Sequence, residues 1–206
     1  MTGIKICGLK QIEHVQTAIA SGATMIGFVF AESKRKITIE QAKQLAQVIP
    51  PSIKKVGVFV NAPKSYLHEV YNEVGLDYIQ FHGDESPSFI EEVDLPSIKA
   101  FSVQHTFDFD QLQAYSVDYF LLDAPRGQYY GGNGTSFDWH LLQNAKIDST
   151  KVIVAGGLTP ENVTEAIRQT NPFAVDVSSG VEIDGTKDSK RIQQFIETVK
   201  GAYSHE

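Results

Sequence analysis

Ile4-Lys5-Ile6-Cys7, residues 4–7, is a short apolar strand candidate that ends on the only cysteine of the chain and is followed at once by Gly8 and a helix-like stretch over 11–21. The same unit recurs seven more times. Further strand candidates fall at 25–30, 55–60, 77–82, 97–101, 118–123, 151–155 and 173–178, rich in Ile, Val, Phe and Tyr and mostly apolar throughout. Continuous apolarity is what a parallel sheet covered by helices demands. Helix-like stretches at 39–48, 64–74, 87–93, 108–115, 138–145, 161–169 and 187–201 complete eight alternations. Ser86-Pro87 and Thr159-Pro160 read as cap and first helical residue, while Ser21-Gly22 and Gly75 read as helix ends. With no early G-x-G-x-x-G and no reversal signal, closure into a single-domain (β/α)8 barrel over 1–206 is expected rather than an open doubly wound sheet. At about 26 residues per unit the loops must be lean, since such barrels run to roughly 250 residues.

The chain carries a formal net charge of −7 with both signs mixed, and 42% of its residues are apolar. A concentrated basic face is absent from this pattern, which argues against nucleic-acid or membrane-surface partners. One cysteine makes no internal disulfide, no positively flanked apolar leader precedes Ile4, and no apolar run is long enough to span a membrane. A soluble cytoplasmic protein is expected. Oligomeric state is not legible.

Side chains alternate along a strand, so polar residues of one parity in apolar strands point into the barrel. Lys5 and Cys7 share a face, as do Gln80 and His82, Tyr119, Leu121 and Asp123, and Ala174, Asp176 and Ser178. A buried charge needs a partner, which pairs Lys5 on the first strand with Asp176 on the last across the closure. Strand C-termini form the active-site rim of this fold, so Cys7 and Asp123 stand where chemistry is done. A thiol as base and a carboxylic acid as proton donor suit proton movement around a sugar carbon and call for no metal or redox cofactor. Gln80 and His82 read as interior hydrogen-bonding residues at the site edge, and no metal-ligand spacing occurs around them.

Two glycine clusters, Ala155-Gly156-Gly157-Leu158 and Ser178-Ser179-Gly180-Val181, follow strands 7 and 8. Loops in those places form the recurrent phosphate site of these barrels, so a phosphorylated small molecule is the expected ligand. Ser33-Lys34-Arg35-Lys36 after strand 2 is either a solvated basic loop or a clamp in which a guanidinium grips a carboxylate. The glycine-rich segment 126–135 following Asp123 reads as a lid.

These stretches, together with Gly27-Phe28-Val29-Phe30, Val56-Gly57-Val58-Phe59-Val60-Asn61, Gln80-Phe81-His82-Gly83, Leu121-Leu122-Asp123, Phe137-Asp138-Trp139 and Gly156-Gly157-Leu158-Thr159-Pro160-Glu161-Asn162-Val163, span nearly the whole chain in order. In them the sequence closely resembles the phosphoribosylanthranilate isomerase family, with mild departures at Phe81 and Asn133. The resemblance implies an Amadori rearrangement of N-(5-phosphoribosyl)anthranilate, without cofactor. It implies Asp123 as the acid that opens the furanose, Cys7 as the base at C2, and Arg35 on the anthranilate carboxylate. Gly156, Gly157, Ser178, Ser179 and Gly180 are implied to hold the phosphate, with Asp176 in support.

Overall fold

The computed structural model describes residues 1–104, 106–125, 138–143, 145 and 147–202. Eight parallel strands close into a barrel in sequence order: β1 (Gly3–Cys7), β2 (Met25–Val29), β3 (Lys54–Phe59), β4 (Tyr78–Phe81), β5 (Ser97–Ser102), β6 (Tyr119–Asp123), β7 (Val152–Val154) and β8 (Ala174–Val177). Closure sets Lys5 directly opposite Asp176 in the β1–β8 register. The expected pairing forms, with Lys5 Nζ donating to Asp176 Oδ1 at 2.8 Å and no part of Lys5 exposed. The (β/α)8 barrel is therefore the fold.

Alternation in each strand divides the core in two. Met25, Val56, Ile98, Leu121, Ile153 and Ala174 pack inside the barrel, with Tyr78, Tyr119 and Phe173 against them. Phe28, Phe59, Phe81 and Val175 face outward and pack in the layer beneath the helices. Those helices are α1 (Ile12–Ser21), α2 (Ile39–Ala46), α3 (Lys64–Val74), α4 (Pro87–Val93), α5 (His140–Gln143), α6 (Val163–Thr170) and α7 (Ser189–Gly201). Ser86 caps α4 by accepting from Phe89 N with Pro87 in the first turn, and α1 and α3 end on Gly22 and Gly75.

Three local expectations need correction. The stretch expected as a helix over 108–115 is a 3-10 helix, Phe109–Ala114. Phe109, Leu112 and Tyr115 recur every third residue, and Phe107 and Tyr115 set their rings edge-on to Phe101, a spacing that suits three residues per turn better than 3.6. Thr159-Pro160 forms a turn ahead of α6 rather than its cap: Thr159 O accepts from Val163 N at 3.1 Å, and the helix starts after Asn162. Finally, 182–187 is a small antiparallel hairpin, β9 (Glu182–Ile183) and β10 (Thr186–Lys187), so α7 begins only after Asp188, which accepts from Arg191 N. Its two-residue turn, Asp184-Gly185, has φ values of 50° and 77°, which is the hairpin chemistry of an Asp-Gly pair. The lid expected over 126–135 lies outside the described residues.

Candidate active site

A cavity of about 300 Å³ opens at the C-terminal ends of the strands. Cys7, Arg35, Gln80, His82, Asp123, Asp176 and Ser178 all line it, with Val29, Ala31 and Val58 as apolar wall. The strand order brings them together: Cys7 ends β1, Asp123 ends β6, and His82 follows β4. Gly156, Gly157, Ser179 and Gly180 belong to the loops beside this cavity and are not part of its lining.

Asp123 is held on both oxygens. Oδ1 accepts from Ala124 N at 2.8 Å, and Oδ2 lies 3.3 Å from His82 Nε2. His82 Nδ1 is in turn 3.0 Å from Gln80 Nε2, so the buried Gln80 and Asp123 and the partly exposed His82 between them form one row. With the Gln80 amide donating to Nδ1, the imidazole proton sits on Nε2 and points at the carboxylate. The backbone after β7 helps to shape this row. Gly156 has φ +81°, and a Cβ there would stand 2.3 Å from Ala124 N and 2.9 Å from Asp123 Oδ1. Gly156→Ala is accordingly expected to cost about 1–3 kcal/mol in stability from the strained backbone alone, and to lower turnover by displacing the carboxylate. Denaturant unfolding and steady-state assays check both, and an unchanged enzyme would show that the two loops do not need this close approach.

The second glycine loop is equally tight. A Cβ on Gly180 would fall 1.8 Å from Leu158 O, so the loops after β7 and β8 pack against each other without room for a side chain. Ser178 Oγ donates to Cys7 O at 3.2 Å and joins the β8 loop to the strand that carries the thiol.

Arg35 differs from its sequence reading. Far from being a free guanidinium on a solvated loop, it is 9% exposed and locked to Glu182, with Nε donating to Oε1 at 2.6 Å and Nη2 to Oε2 at 3.0 Å. Burial alone would raise the Glu182 carboxyl, but hydrogen bonds from Arg35 and the charge and hydrogen bond of Lys187 outweigh it and hold its pKa at about 2. Sequence reasoning missed Glu182 and Lys187. Their signal was the Asp184-Gly185 turn, which folds both residues back over the β8 end.

Fold and cavity define a (β/α)8-barrel enzyme with titratable side chains gathered at its C-terminal mouth. The family model for N-(5′-phosphoribosyl)anthranilate (PRA) isomerase matches residues 4–198. The N-(5′-phosphoribosyl)anthranilate isomerase of Listeria welshimeri is 50% identical over 198 residues, covering 96% of this chain and 98% of its own length. The crystal structure of phosphoribosyl anthranilate isomerase from Thermotoga maritima superposes with a TM-score of 0.87 at 37% identity, covering 98% of this chain and 100% of that one. A phosphoribosyl anthranilate isomerase in complex with reduced 1-(o-carboxyphenylamino)-1-deoxyribulose 5-phosphate superposes with a TM-score of 0.84 at 36% identity and the same coverage. The chain belongs to the N-(5′-phosphoribosyl)anthranilate isomerase family, and it is an isomerase of the aldose–ketose, Amadori type in tryptophan biosynthesis.

Proposed function

We propose that Cys7 and Asp123 carry the rearrangement of N-(5-phosphoribosyl)anthranilate to 1-(o-carboxyphenylamino)-1-deoxyribulose 5-phosphate, as base and acid on one bound sugar. The observation that supports this most is the placement of both side chains on the wall of a single cavity at the strand C-termini. Asp123 gives a proton to the furanose ring oxygen; the C1–O bond breaks as the anthranilate nitrogen lone pair forms the C=N bond of a protonated Schiff base. Cys7 thiolate then takes the C2 proton, and the C–H electrons neutralise the iminium to give an enolamine. Transfer of the enol proton from O2 to C1, in effect, yields the ketone. The thiol proton and the spent carboxylate are reset by exchange with water.

Arg35 grips the anthranilate carboxylate in this reading. Glu182 occupies its Nε and Nη2, so the remaining edge of the guanidinium, on the cavity wall, meets the substrate. The loops containing Gly156, Gly157, Ser178, Ser179 and Gly180 hold the phosphate through backbone N–H groups. Asp176 supports the site by holding Lys5. Residues 1–206 act as one isomerase unit on a small phosphosugar. No helix among the described residues is long and apolar enough to cross a membrane, and cytoplasmic residence fits the reading.

Wild-type protein supplied with freshly generated N-(5-phosphoribosyl)anthranilate should convert it to the ketose, and no conversion would overturn the reading. Arg35→Ala should weaken binding of a carboxylate-bearing product analogue by about 1.5–3 kcal/mol, the scale of a charged hydrogen bond. An analogue lacking the carboxylate should scarcely respond. Equal losses by calorimetry would point to a general loop defect instead.

A further inference from the structure

The wall beside Cys7 holds an unbalanced set of charges. Lys5 is bonded to Asp176, and Arg35 to Glu182. Lys187 Nζ, itself buried, donates to Glu182 Oε1 at 2.7 Å, to Ser178 O at 2.7 Å and to Ser178 Oγ at 3.2 Å. Three buried cations thus share two carboxylates, and the half-exposed Lys34 adds a further ammonium 3.1 Å from Glu182. A buried positive charge without its own anion is costly. Cys7 is the group that completes the set: as a thiolate it would be the third anion beside Asp176 and Glu182, matching the three buried cations. Lys5 and Cys7 also share the space over Gly27, where a Cβ would stand 2.8 Å from Sγ and 3.2 Å from Lys5 Nζ.

We propose that Lys187 is a positioning residue for Cys7: its ammonium favours the thiolate form, and its bonds to Ser178 hold the β8 loop, and with it the Ser178 Oγ to Cys7 O contact, against β1. The inference rests on Cys7 being the base. Ionisation breaks only the S–H bond, its electron pair stays on sulfur, and the proton passes to water. Burial pushes the thiol up and dominates, so that it sits above its usual value; Lys5 pulls it back, Asp176 pushes it up again, and Lys187 pulls it down, so each cation lost leaves the thiolate harder to form. The charged and titratable groups around it are Lys5 on β1, Asp176 on β8, Glu182 and Lys187 on the hairpin, Glu32 and Arg35 after β2, and, elsewhere on the cavity wall, His82 and Asp123. Lys187 matters among these because it shares the single Glu182 carboxylate with Arg35, while Lys5 has Asp176 to itself.

Cys7 is the only cysteine, so thiolate ultraviolet absorbance and alkylation rate, both followed against pH in the full-length protein, read it alone. In Lys187→Met the titration midpoint should rise by about one pH unit, with alkylation at neutral pH about tenfold slower. The rate of turnover at neutral pH should fall by a similar factor and recover towards high pH, and Lys187→Arg should restore most of it. Glu182→Gln, which leaves Lys187 and Arg35 unneutralised, should move the midpoint the other way and remains informative where the methionine variant does not fold. Opposite shifts support the proposal. A midpoint unmoved in either variant, or shifts of the same sign in both, would overturn it, the latter by marking a general loosening of the loop. A fully active Cys7→Ala enzyme would remove the base yet leave these titrations readable, so the two failures are distinguishable.

Discussion

The Asp123→Asn enzyme is expected to turn over about 10²–10⁴-fold more slowly than wild type, the usual contribution of a positioned acid or base. Asparagine keeps the size of the side chain and the acceptor for Ala124 N, so the 2.8 Å contact that seats the group survives. What disappears is the proton. An amide does not deliver one to a ring oxygen, and the His82 ring is already engaged by Gln80 on one side and by the residue 123 side chain on the other. KM should change little, because the loops and the Arg35 proposed to bind substrate are untouched and an interaction made only in the transition state appears in kcat. Turnover near the wild-type rate, in a variant with an unchanged unfolding curve, would take Asp123 out of the mechanism.

The largest effect on stability is expected from Asp176→Ala. Removing one member of a buried pair typically costs about 3–5 kcal/mol, because the other charge stays behind unpaired, and Lys5 is completely buried. Burial by itself would push the lysine down, but Asp176, together with Cys7, more than offsets this and holds Lys5 above its usual 10.5. The sign of the pH dependence follows. A raised lysine contributes stability that is fully present below 10.5 and is lost as pH climbs past that value towards its folded pKa. Wild type should therefore weaken in strong alkali, whereas the alanine variant should already be weak at neutral pH and lose less on going alkaline. Denaturant unfolding at neutral and alkaline pH checks both statements. A cost below about 1 kcal/mol, the level of an exposed pair, would mean that the ion pair does not fasten the closure of β1 on β8.

The barrel was legible because its signal is repeated: eight apolar strands with helical spacing between them leave little choice of topology. Parity along those strands was enough to place Lys5 against Asp176, and to bring Cys7, His82 and Asp123 to one mouth. Arg35 does line the cavity, but it is paired rather than free. Its partner Glu182 lies 147 positions away, and nothing local in Ser33-Lys34-Arg35-Lys36 announces a carboxylate that arrives through a hairpin. The same holds for Lys99, which faces outward between Ile98 and Ala100 yet reaches Glu85 at 2.9 Å and Gly83 O at 2.8 Å. An apolar run with one charge in it shows that a partner is needed, but it does not show which loop supplies it. The 3-10 helix after β5 was missed for a different reason: apolar residues three apart, Phe109, Leu112 and Tyr115, also satisfy a loose helical pattern, and only packing such as that of Tyr115 on Phe101 decides between periods.

The account stands on Cys7 as the base that faces Asp123 across one sugar. The direct measurement is turnover of the Cys7→Ala enzyme on freshly generated substrate, taken beside its affinity for a reduced product analogue. A loss of about 10²–10⁴ in kcat with analogue affinity unchanged is the predicted result. Turnover close to wild type in that variant would contradict it.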